Sequence, residues 1–153
     1  NAYYTDAVAV MVMTESGYAS LSSLAGRTVG CINRDGSNNR YTARNLIKAW
    51  AGKQQPAATV VEFASSSDML EALADGKIDA LCAEYALLDA WHIPERHTIL
   101  PDALGTMEYA VAFPAGSETL CSLVNNILRE MEEDGSLAAL WNKWDLTDYR
   151  SIQ

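Results

Sequence analysis

The sequence predicts an α/β fold, a three-layer sandwich around a mainly parallel sheet, with helices added at the C-terminal end. Two features carry that prediction. The short runs at 28–32 (TVGCI), 59–63 (TVVEF) and 78–82 (IDALC) are apolar without clean alternation, as strands covered on both faces are. They are interleaved with stretches of helical periodicity, which gives β-α-β units and parallel neighbours.

Taken in order, residues 3–13 form a strand in which Val8, Val10 and Val12 alternate with smaller or adaptable residues. Residues 18–24 make a short helical turn closed by Gly26, and 27–33 (RTVGCIN) a second strand. The polar run 34–39 (RDGSNN) is a turn. Ala43, Leu46, Ile47 and Trp50 then recur at i, i+3, i+4, i+7, one buried face of a helix that Gly52 and Pro56 end. After the strand at 59–63, the cluster Ser65-Ser66-Ser67-Asp68 supplies N-cap candidates for a helix through Met69, Leu70 and Leu73, stopped by Gly76. A strand at 78–83 runs into a helix at 85–91, and 98–100 and 108–113 are further strands. From Ser117 the stripe Leu120, Leu123, Val124, Ile127, Leu128, Met131 marks a long amphipathic helix with Gly135 as its C-terminal cap. Leu137, Leu140, Trp141 and Trp144 continue as a second helix. The four tryptophans, Trp50, Trp91, Trp141 and Trp144, lie on helix faces and are expected to fill the core.

Composition narrows the function. The 153 residues carry 20 acidic and 11 basic side chains, a net charge of -9. That argues against the clustered Lys and Arg that a phosphate backbone requires. The longest apolar run is far short of the roughly 18 residues of a membrane span. Cys31, Cys82 and Cys121 form no CxxC and sit among apolar neighbours, which reads as buried free thiols. His92 and His97 have no Cys or acid at metal-ligand spacing, so no metal or other cofactor is expected. No nucleophile–base pair or close carboxylate pair marks an enzyme. The abrupt opening at Asn1-Ala2, leading at once into a strand, reads as a designed boundary or a mature segment.

Ligands of open α/β sheets bind beyond the C-terminal edges of the strands, where loops lead into helix N-termini. Two segments have that placement: 33–38 after the second strand, and Glu84-Tyr85 after the strand at 78–83. Asp79 sits early in its strand and reads as structural, and Ser66 and Ser67 as capping residues before ligand contacts.

The ordered segments resemble a known family. They are the Tyr3-Tyr4 strand, Leu21, Leu24, Gly26, Val29 and Gly30, and a polar Gly36-Ser37 turn opening a helix. Ser66, Leu70, Ala72, Leu73, Gly76, Asp79 and Ala80 follow, with an acid four places on at Glu84. Tyr109 to Phe113 (YAVAF), Gly116-Ser117, Asp134-Gly135-Ser136 and Trp141 to Trp144 (WNKW) complete the set. Together they resemble the polar-amino-acid-binding family of bacterial extracellular solute-binding proteins, which serve ABC importers and have the type II periplasmic-binding-protein fold. No single element is specific; the ordered set at matching spacing is.

The resemblance implies that residues 3–108 are the second lobe, including the first crossover strand. Residues 109–153 would be the return crossover and C-terminal helices that normally pack on a first lobe. The N-terminal part of that lobe, with the arginine that clamps the ligand carboxylate, is expected to be missing from this chain. In the family a turn at the position of Asn33, Arg34, Asp35, Gly36 and Ser37 holds the α-carboxylate, through free backbone N–H groups and a helix dipole worth about 0.3–2 kcal/mol. Gly36 would let the backbone approach and Ser37 would donate a hydroxyl. Asp35 departs from the usual threonine, and Arg34 offsets its charge or the pair marks an unusual ligand. Glu84 stands where the family has an aspartate that accepts from the α-ammonium.

The function implied is periplasmic or extracellular binding of an amino acid or similar polar solute for an ABC permease, with a membrane-anchored lipoprotein as one form. The alternatives are a ligand-sensing domain of a receptor and a dehydratase-type enzyme on the same fold. The apolar stripe from Leu120 to Trp144 would be left bare if its usual lobe is missing. Either the helices fold back on the chain's own lobe or two chains pair as a homodimer, and the second is favoured because fold-back would close the cleft.

Overall fold

The computed structural model describes residues 1–33 and 42–149. It contains two compact units: Ala7–Met107, and Asn1–Asp6 with the residues from Glu108 onward. Strands β1 (Ala2–Met13) and β6 (Gly105–Ala110) each continue from one unit into the other.

The sheet runs in the order β3-β2-β4-β1-β5, with β6 also pairing with β1. Its parallel part is β3 (Thr59–Phe63), β2 (Thr28–Ile32) and β4 (Ala80–Glu84). β1 runs antiparallel to β4, with Val10 opposite Cys82, and to β5 (His97–Ile99). Helices α1 (Thr42–Ala51), α2 (Ser66–Ala74) and α3 (Tyr85–Trp91) complete the predicted three layers.

Alternation along the central strands supplies two cores at once. Val8, Val10 and Val12 of β1 join Val29, Cys31, Ala80 and Cys82 on one face, under Ala43 and Ile47 of α1. Ala9 and Met11 join Leu81 and Ala83 on the other, under Met69, Ala72 and Leu73 of α2 and Leu88 of α3. Every one of these side chains is buried. Strands with apolar groups on both faces show little alternation in sequence, which is why these runs read as continuous.

The predicted boundaries shift where side chains act on the backbone. Asp79 does not begin β4. Its carboxylate accepts the Tyr18 hydroxyl at 3.0 Å and the Thr28 N–H at 2.9 Å, tying the start of β2 to the turn before β4, in line with the structural role expected of it. Of the serine cluster, Ser65 is the cap, accepting the Asp68 N–H at 3.1 Å. β6 starts at Gly105 rather than 108, just after the Leu104 N–H meets the Val8 carbonyl at 2.8 Å, and stops short of Phe113-Pro114. His92 and His97 close the turn after α3: His92 Nε2 lies 2.9 Å from the His97 carbonyl, and His97 Nδ1 accepts the Ile93 N–H at 3.2 Å.

In the other unit, α4 (Glu118–Glu133) is followed by Gly135, in the left-handed region at φ 81°, and by α5 (Ser136–Lys143). Tyr4 packs on Tyr109 and Trp141, with ring centroids 5.6 and 6.4 Å away. Trp144 corrects the expectation that all four tryptophans are core residues. It follows the last turn of α5, is 69% exposed, and its ring lies under the Lys143 ammonium.

Gly26 shows how tightly the first unit is built. Its φ is +71°, and a Cβ there would lie 2.7 Å from Cγ of the Pro56 ring. Gly26→Ala should therefore destabilise the protein by about 1–3 kcal/mol, from left-handed strain plus overpacking against a rigid ring. Urea unfolding checks it; a midpoint equal to that of the wild type would show that the loop relaxes freely.

Candidate functional site

A cavity of about 340 Å³ opens in the Ala7–Met107 unit at the C-terminal ends of β2 and β4. Its lining comes from five elements: Ile32 of β2, Ala43 of α1, Ser66 of α2, Cys82, Ala83 and Glu84 of β4, and Leu87 and Trp91 of α3. The switch-point rule places a ligand at this edge of an α/β sheet.

Each polar element has a local cause. Glu84 follows the alternation of β4 onto the face of Ala80 and Cys82 and carries that face out of the core. It stands at the N-cap of α3 with φ −62° and ψ 141°, yet its side chain makes no capping bond, so the helix does not consume the carboxylate. Ser66 is the first residue of α2, so a helix N-terminal turn reaches the cavity. Free N–H groups and the positive dipole end favour an anionic group there. Leu87 and Trp91 supply an apolar wall. The cavity thus offers a carboxylate for a cation, the start of α2 for an anion, and apolar surface beside them.

The other predicted site residues have different placements. Arg34, Asp35, Gly36 and Ser37 lie outside the described residues. Asn33 extends the β2–β3 ladder, its N–H donating to the Phe63 carbonyl at 2.8 Å, and its carboxamide donates to Glu62. Of the two predicted site residues among those described, Glu84 lines the cavity and Asn33 does not. Ser66, Cys82, Leu87 and Trp91 were not read as site residues. A signal for two of them was present: Glu84, Leu87 and Trp91 are spaced by three and four, so they share one helical face.

Behind the cavity wall, Glu62 of β3 is the hub of a charged cluster. It accepts from Lys48, from Asn33, and from Arg44 through Nε at 3.0 Å and Nη2 at 2.9 Å. Arg44 is buried, at 7% exposure. The cluster ties Asn33, next to the lining residue Ile32, to Arg44, next to the lining residue Ala43. The Lys48 ammonium first, then the Arg44 guanidinium and the Asn33 amide, hold the Glu62 carboxyl down at about 2.

A mixed α/β lobe with a parallel core and a polar-tipped cavity at the strand ends is the fold of periplasmic binding proteins, and the solved structures agree. Over 94% of this chain, and 61% of the other, it superposes with a TM-score of 0.78 on the probable amino-acid ABC transporter extracellular-binding protein ytmK from Bacillus subtilis, at 19% identity. An ancestral arginine-binding protein bound to glutamine is 25% identical with a TM-score of 0.68, covering 94% of this chain and 61% of that one. In sequence the chain is 27% identical over 146 residues to the arginine-binding extracellular protein ArtP of Bacillus subtilis (strain 168), covering 93% of this chain and 54% of that protein. It is 29% identical over 93 residues to the ABC transporter glutamine-binding protein GlnH of the same organism, covering 60% of this chain and 34% of that protein. No protein-family profile matches. The resemblance drawn from the ordered segments therefore holds: the chain is related to amino-acid-binding proteins of ABC transporters, and its match spans about half the length of the first of these curated relatives and about a third of the second.

The Glu62 cluster gives the lobe a defined acid response. With its carboxyl lowered from 4.5 to about 2 on folding, Glu62 contributes stability that is fully present above pH 4.5 and is lost as pH falls toward 2. Glu62→Gln should cost about 1–3 kcal/mol at neutral pH, because Arg44 and Lys48 lose a charged acceptor. It should also flatten the fall of stability in that acid window. Chemical unfolding at a series of pH values measures both; parallel curves for the two proteins would show that Glu62 is not the group responsible.

Proposed function

We infer that this chain is the ligand-binding lobe of an extracytoplasmic protein that captures an amino acid and delivers it to the membrane permease of an ABC importer, acting by binding rather than catalysis. The observation that carries the reading is the Glu84 carboxylate, which makes no capping bond to α3, on a small, largely apolar cavity at the ends of β2 and β4. An amino acid presents an ammonium, a carboxylate and a side chain, and each must be matched as it leaves water. Glu84 accepts from the α-ammonium. Residues 34–37, which follow β2 in the chain, are assigned to the carboxylate, through backbone N–H groups and the Ser37 hydroxyl, whereas the N–H and amide of Asn33 are taken up by Phe63 and Glu62. Leu87 and Trp91 flank the side chain.

Relatives named for arginine and glutamine make these two the first ligands to test. The extracellular designation of relatives supports a periplasmic or extracellular location. In this reading residues 3–108 are the second lobe of the binding protein, and 109–153 return to the other. Exposed Leu120, Leu123 and Ile127 on α4, with Leu140 and Trp144, give the latter segment an apolar face suited to packing. In the isolated chain we expect that face to pair two copies.

Two measurements test these statements. In the complete gene product, Glu84→Gln should weaken arginine or glutamine binding at least about tenfold by calorimetry, because a buried charge pair is lost. An unchanged Kd would remove Glu84 from the site. Light scattering of the 153-residue chain should give a mass above the monomer that falls on dilution. A monomer mass at every concentration would rule out pairing.

A further inference from the structure

Two free cysteines share the core beside the cavity, and one of them lines it. Across β2 and β4, Val29 lies opposite Ala80 and Gly30 opposite Leu81, and the next step of this parallel register sets Cys31 opposite Cys82. Both side chains enter the same cluster, with Val10, Ala43 and Ile47, so they occupy one face of the sheet. Neighbouring strands lie about 4.8 Å apart, inside the Cα separation of about 4.4–6.8 Å that a disulfide spans. Both thiols are free. Cys82 also lines the cavity, and its thiol makes a weak hydrogen bond to the Ala43 carbonyl, at 3.8 Å. Cys82, almost wholly buried, thus belongs to the cavity wall, and Cys31 stands beside it on the neighbouring strand.

We propose that Cys31 and Cys82 form a thiol-oxidation site beneath the ligand cavity, with Cys82 as the entry thiol and Cys31 as the resolving thiol, oxidised to a disulfide by a small organic disulfide. The Cys82 thiolate attacks one sulfur of that reagent, forming a mixed disulfide and expelling a thiolate that takes up the proton Cys82 released. Cys31, deprotonated in turn, attacks the Cys82 sulfur; the Cys31–Cys82 bond forms, and the second small thiol leaves with the remaining proton. Two protein thiols are oxidised and one small disulfide is reduced to two thiols, so no further acceptor is required. Burial raises both thiols, Cys31 to about 11, so the reaction is slow at neutral pH and quickens as pH rises. The site does not depend on which solute the cavity binds.

Cys121, the third cysteine, lies on α4 and is removed for the test. Folded Cys121→Ser protein is incubated with hydroxyethyl disulfide at mildly alkaline pH, denatured, alkylated and peptide-mapped without reduction. The expected product is a monomer in which the Cys31 and Cys82 peptides are joined and neither is alkylated. Adding Cys31→Ser should stop the reaction at a mixed disulfide on Cys82, whereas adding Cys82→Ser should leave Cys31 free. Full alkylation of both cysteines in the Cys121→Ser protein would overturn the proposal. Modification of Cys31 in the absence of Cys82 would overturn the assigned order of attack.

Discussion

The requirement that β2, β4 and β1 be covered on both faces governs the rest of the lobe. Apolar groups alternate between two cores, Val10 and Cys82 on one side and Met11 and Leu81 on the other. Burial at about 25 cal/mol per Å² rewards that arrangement only if helices cover both faces. Once α1 sits on one side and α2 and α3 on the other, the faces are closed and only the strand ends remain open. Gly30 shows how close the closure is, since a Cβ there would come within 2.7 Å of Ile78 Cδ1. The cavity is therefore a consequence of the layering: it forms where β2 and β4 run out and α2 begins.

Two glutamates illustrate how this frame assigns chemistry. Glu62 and Glu84 both lie at or near the C-terminal ends of parallel strands. Glu62, on the edge strand β3, meets Lys48, Arg44 and Asn33 and is held ionised as structural cement. Glu84, at the tip of the interior strand β4, meets the cavity and caps no helix. The same side chain is structural in one place and available to a ligand in the other, and the difference is which helix face stands across from it. The Glu62 cluster in turn steadies the cavity, because it joins the ends of β2 and α1 that supply Ile32 and Ala43.

Similarity to binding proteins extends through the chain's C-terminal segment, where the physical demands differ. Strands in the Ala7–Met107 unit bury apolar groups in their own cores, whereas α4 leaves Leu120, Leu123 and Ile127 about half exposed. A 16-residue helix with that stripe is amphipathic by pattern yet has no buried residue. Its periodicity specifies a contact face, and the partner for that face is a separate matter from the helix itself.

The sequence by itself determined the element order, the layered fold class and the place of Glu84, because hydrophobic periodicity, capping serines and strand-end position are local signals. Tyr85–Trp91 and Thr59–Phe63 fall where the pattern set them, and Ser65 caps α2 from within the predicted cluster. Tertiary structure alone decided what each side chain meets. Asn33 carried a strand-end position suited to a ligand, but the adjacent edge strand brings Glu62 to its amide. Cys31 and Cys82 are 51 positions apart, and only the parallel register of β2 and β4 makes them neighbours. Ser66 and Trp91 looked like cap and core until five elements converged on one cavity. Local pattern says which face of an element is apolar and where the element stops; pairing across the sheet, which joins residues far apart in the chain, decides which of those ends become a site.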